Sequence, residues 1–86
     1  MLRIDTIETA MAVTLELHGR LIGAWVPCLE DLWRSTEGHP PRAIVVDLTD
    51  VTAIDEAGRY LLRLMEAKRA TLAGGGIGIR ALLGDE

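Results

Sequence analysis

The stretch that decides the fold is AIVVDLTDVTAIDEAGRYLL, residues Ala43 to Leu62. It opens with Ala43-Ile44-Val45-Val46, a continuous apolar run rich in β-branched residues closing on Asp47-Leu48, which has the composition of a central strand covered on both faces. After Thr49 to Ile54 the pattern turns helical. Asp55 is placed as an N-cap whose carboxylate accepts from free amides one turn on, with Glu56 favourable beside the positive helix end. The helix is expected from Glu56 to about Ala73. Ala57, Leu61, Leu64, Met65 and Leu72 form its core stripe, Arg59, Arg63 and Glu66 face away, and the Lys68 stem runs along the core edge.

Upstream, Leu2 and Ile4 alternate with Arg3 and Asp5, and Met11, Val13, Leu15 and Leu17 alternate with Ala12, Thr14, Glu16 and His18. That period of two predicts a hairpin of half-buried strands, the second ended by Gly19. Trp25, Leu29, Leu32 and Trp33 then repeat at helical spacing, and Pro27, tolerated only in a first turn, sets the helix start near Gly23 to Val26. Both tryptophans are expected in the core, as is Cys28, a small hydrophobe on the same helix. Gly38-His39-Pro40-Pro41 stops the helix. Downstream, Gly74-Gly75-Gly76 supplies the left-handed turn that ends the second helix, and Ile77 to Leu83 reads as a last strand. The order is β-β-α-β-α-β, an α/β fold with a mixed four-stranded sheet and helices packed on it, in one domain over residues 1–86.

Composition narrows the function. With 86 residues, no Phe and 49% hydrophobic content, the core must be aliphatic, and the mean hydropathy of +0.22 leaves apolar surface to be covered by something else. Nine basic residues without a cluster, in a chain of net charge −4, argue against nucleic acid. No uncharged run is long enough to span a bilayer and no signal peptide opens the chain, so a cytoplasmic protein without membrane insertion is expected. A single cysteine allows no internal disulfide.

The glycine run follows a helix, whereas a phosphate loop needs glycines between a strand and a helix, so phosphate binding is not expected there. Asp47, Asp50, Asp55 and Glu56 fall at the expected carboxyl end of the central strand, where α/β sheets place ligands. Their spacing matches no calcium loop. A turn acid, a cap and a helix-start acid account for Asp50, Asp55 and Glu56 without a metal, and none is assigned. His18, at a strand end, His39, Ser35 and Cys28 form no evident catalytic pairing, so no enzyme and no cofactor are expected.

The Ala43–Leu62 segment resembles the signature of the STAS domain, found in sulfate transporters and bacterial anti-sigma factor antagonists. In that signature an aliphatic strand leads into Asp-Leu-Ser/Gly-x-Val-x-x-Ile/Met-Asp-Ser-x-Gly and a leucine-rich helix. Leu17-His18-Gly19-Arg20-Leu21 is similar to the family's Leu-x-Gly-x-Leu turn, Leu29 falls at the leucine of its first helix, and the element order is the family's. Two positions depart. Glu56 stands where regulated antagonists carry the serine that a partner kinase phosphorylates, and Ile22 stands where they usually carry Asp. A phosphate brings roughly 1.5 to 2 negative charges to the helix start, so the single carboxylate of Glu56 is a partial, permanent mimic. The resemblance also implies a STAS-like fold truncated after its fourth strand, with an open edge near Ile77 to Leu83 and along the Met65–Leu72 side of the helix.

The resemblance therefore implies a non-catalytic interaction domain. Its partner surface is the loop from Thr52 to Gly58 and the outward face of the helix, with Asp55, Glu56, Ala57, Gly58, Arg59 and Arg63 as contacts. The partner it implies is an anti-sigma factor or serine kinase, or a protein of a transporter or signalling complex, and the open edge implies a homodimer. The alternatives are a nucleotide or small-ligand module using the acidic strand end, and a regulatory subunit of a transporter complex.

Overall fold

The structure is a computed structural model that describes residues 1–36 and 42–74. Strands β1 (Leu2–Glu8) and β2 (Ala12–Leu21) form the expected hairpin, closed by Thr9, whose hydroxyl accepts from the amides of Met11 and Ala12 at 3.3 and 3.0 Å. Helix α1 (Trp25–Thr36) follows, then β3 (Ala43–Ile54), helix α2 (Glu56–Ala67) and a short β4 (Thr71–Ala73). The sheet order is β1-β2-β3-β4, with β1 antiparallel to β2 and the other neighbours parallel. The α/β fold with a mixed four-stranded sheet is thus the observed one.

Both βαβ crossovers advance across the sheet in the same direction, and right-handed crossovers then put both helices on one face. Val13, Leu15 and Leu17 of β2 and Val46 and Leu48 of β3 are buried beneath Leu29, Trp33, Leu61, Leu62 and Met65. The alternate residues, Thr14, Glu16 and His18 on β2 and Asp47 on β3, lie on the uncovered face and are only partly buried. β3 is therefore covered on one face, not two as its apolar run suggested. Its polar positions from Asp47 onward carry the alternation of a half-open strand.

Three boundaries differ from the sequence reading, each for a physical reason. Gly19 does not end β2. With φ +109° it lets the strand continue past the Met1 carbonyl, which a Cβ there would strike, and the Met1 oxygen accepts from the Arg20 amide at 3.2 Å. β3 runs on through Thr49–Ile54 because β2 offers it a parallel partner as far as Leu21. Between Glu16 and His18, and again between Gly19 and Arg20, β3 inserts one extra residue. The buried positions accordingly step from Val46 and Leu48 to Val51.

Helix α2 ends at Ala67, six residues short of the expected Ala73. The Arg69 amide donates to the Glu66 carbonyl at 3.0 Å and the Ala70 amide to the Met65 carbonyl at 2.9 Å, with Arg69 left-handed at φ 76°. This is a Schellman closure, with buried Ala70 as its apolar contact. The left-handed turn is thus supplied by Arg69 and not by the glycine run. Leu72 leaves the helix stripe for β4, and exposed Lys68 becomes the C-cap. The buried stripe of α2 is Gly58, Leu61, Leu62 and Met65, with Ala57 exposed and Leu64 half-buried. The strand expected at Ile77 to Leu83 and the Gly38–Pro41 stop lie outside the described residues.

On α1, Pro27 sits in the first turn as expected, and Trp33 is buried. Trp25 and Cys28 are not in the core: both are exposed, because the buried stripe runs through Val26, Leu29 and Trp33. Met11, at the hairpin tip, is likewise exposed. Among the described residues no helix is long and apolar enough to cross a membrane.

Candidate functional site

The site is built where β3 hands over to α2. The expected loop from Thr52 to Gly58 is reduced to Asp55, since Thr52 is still in strand, its hydroxyl donating to the Gly19 carbonyl at 3.2 Å. Asp55 caps α2 as the sequence suggests: Oδ1 accepts from the Gly58 amide at 2.7 Å. Oδ2 accepts from the Gly23 amide at 2.8 Å, and the Asp55 amide donates to the Leu21 carbonyl at 3.2 Å. The carboxylate thereby ties the β2–α1 connection to the first turn of α2. The amides of Gly23 and Gly58 together hold its pKa below the ordinary aspartate value.

Gly58 is buried on the helix side that meets β2, where a Cβ would come within 2.6 Å of the Leu21 carbonyl oxygen. Asp55 and Gly58 thus position the site. Glu56 and Ala57 are its exposed members, while Arg59 is half-exposed. Arg63 is half-exposed one turn further on, 3.8 Å from Glu66.

Beside Glu56 the two helices leave a groove of about 580 Å³, lined by Val26 and Glu30 from α1 and by Glu56, Ala57, Tyr60, Leu61 and Leu64 from α2. Its floor is aliphatic and its rim carries two acids, of which Glu30 is paired with Arg34 at 2.9 Å. Of the residues read from the sequence, Glu56 and Ala57 line the groove, whereas Arg59 and Arg63 do not. Tyr60, 72% exposed, was missed. Its signal was available: it stands four residues after Glu56, on the same helical face, as the only tyrosine of the chain.

The four acids expected to share the strand end do not converge. Asp47 is in mid-strand on the open sheet face, where its Oδ1 accepts from the Thr49 hydroxyl at 2.6 Å and the Thr49 amide at 2.9 Å, and these bonds lower its pKa. Asp50 lies beside His18 across the sheet, its Oδ2 3.0 Å from Nδ1. Asp55 and Glu56 belong to the helix start. His18 is likewise within β2 and not at a strand end.

No family model matches the sequence, and no curated protein matches it. Among solved structures, a crystal structure of Mglu superposes with a TM-score of 0.64 at 22% identity, over 81% of this chain and 18% of that one. Mglu in its native form in 4.3 M NaCl gives a TM-score of 0.55 at 15% identity, over 91% of this chain and 26% of that one. The chain thus matches about a fifth to a quarter of the length of these neighbours. At such identities the likeness is one of fold alone.

Proposed function

We propose that the chain is a non-catalytic, STAS-like interaction domain that seats a segment of a partner protein in the groove between α1 and α2. The groove is the observation that carries the reading: an apolar trough opens beside Glu56, the position where the resemblance puts the phosphorylated serine. Val26, Leu61 and Leu64 offer apolar contact, and exposed Tyr60 offers the kind of aromatic anchor that dominates binding energies. The partner class that the resemblance supports is an anti-sigma factor with serine-kinase activity, or a protein of a transporter or signalling complex, in the cytoplasm.

Glu56 supports a domain outside phosphorylation control, because a carboxylate already occupies the acceptor position. The test is calorimetric titration with the cognate serine-kinase anti-sigma factor, followed by intact-mass measurement after incubation with ATP. Binding is expected, weakened more than about tenfold by Tyr60→Ala and by Ala57→Arg, the cost of losing a hot-spot contact, with no mass increase. Phosphorylation at Thr49 or Thr52, or affinities untouched by both substitutions, would refute the reading.

A further inference from the structure

On the sheet face opposite the groove, Asp5 of β1 and Glu16 and His18 of β2 present one ligand atom each, all within 4.8 Å of one another. The hairpin register explains the convergence: Asp5 pairs directly with Glu16, and His18 follows two residues on, on the same face. His18 Nε2 is buried and has no hydrogen-bond partner. It lies 3.2 Å from Asp5 Oδ2 without being aligned to donate to it. The other ring nitrogen, Nδ1, is 3.0 Å from Asp50 Oδ2.

We propose that Asp5, Glu16 and His18 form a binding site for a divalent first-row transition ion of the zinc type, with Asp50 as the outer carboxylate that orients the imidazole. A ligating histidine characteristically gives its second nitrogen to a carboxylate, and Asp50 stands where that partner belongs. Bonds of about 2.0–2.1 Å to a tetrahedral ion set donor atoms a little over ~3 Å apart, the spacing that Asp5 Oδ2 and His18 Nε2 already have. One imidazole with two carboxylates selects zinc, cobalt or nickel over magnesium and calcium, which take oxygen shells. Water fills the remaining position, since this face of the sheet is uncovered. Arg3, 2.9 Å from Asp5 Oδ2, is the cation the metal displaces, and its side chain is 69% exposed and can swing away. Asp47, paired in register with Glu16, adds a further negative charge.

Calorimetric titration of the whole chain with ZnCl₂, and the visible absorption of its CoCl₂ complex, test the site. One ion per chain is expected, undisturbed by excess MgCl₂ and by Cys28→Ser. His18→Gln and Glu16→Gln, each verified as folded by circular dichroism, should weaken zinc at least tenfold, and Asp50→Asn by about 10- to 100-fold. Arg3→Gln should leave affinity equal or higher. Absence of zinc binding at millimolar concentration overturns the proposal, as does binding that persists unchanged in both His18→Gln and Glu16→Gln. Because these residues lie away from the groove, partner binding can fail while metal binding holds, and the reverse.

Discussion

Asp55 joins two segments beside the groove, because its two carboxylate oxygens accept from the amides of Gly23, before α1, and Gly58, in the first turn of α2. Its folded-state pKa lies below the ordinary value, first through the Gly23 amide and then through that of Gly58. Asp47 is lowered in the same direction by Thr49. For a depressed carboxylate the stabilisation is complete above the unfolded-state value of about 4 and is lost as pH falls through the lower folded-state value. The share of the urea midpoint that these two carboxylates supply should therefore be complete above about pH 5 and fall steadily below about pH 4, and Asp55→Asn should flatten that fall. A pH profile as steep in Asp55→Asn as in the parent chain would remove Asp55 from the account. The sequence was enough to place this cap, since Asp before Glu and an amphipathic run is a local signal. That its second oxygen reaches Gly23 was not legible, because that bond joins residues 32 apart.

At the scale of elements, the hairpin and the starts of both helices were readable from periodicity, from Pro27 and from the Asp55 cap. What escaped was set by partners distant in sequence. β3 is long because β2 lies alongside it, and its extra residues bring Asp50 opposite His18 where strict alternation would have put Thr49. The end of α2 escaped for a different reason: Arg69 occupies a left-handed position that usually announces itself with glycine. Non-glycine residues pay roughly 1–2 kcal/mol in that conformation. Arg69→Gly should therefore raise stability by about 1 kcal/mol, read as a higher urea midpoint at unchanged slope. A lower midpoint would mean that Arg69 makes contacts outweighing its backbone strain. Trp25 and Cys28 were misplaced because helical spacing defines a stripe but not its rotation, and here the stripe centres on Leu29.

For the whole molecule, the aliphatic composition resolves into one core between a sheet face and two helices, as the absence of Phe required. The remaining large apolar side chains at the described surface are Met1, Ile7, Met11, Trp25 and Tyr60. We propose that self-association covers part of the apolar surplus. Light scattering over a dilution series should show a mass above the 9.4 kDa of one chain at high micromolar concentration, falling on dilution. A mass fixed at that of a single chain throughout would sink the dimer. The Asp55 bridge has one last consequence at this scale. A partner that winds or loosens the first turn of α2 must also pull on Gly23, so the exchange rate of a single amide in the β2–α1 connection serves as a remote gauge of what happens at Glu56.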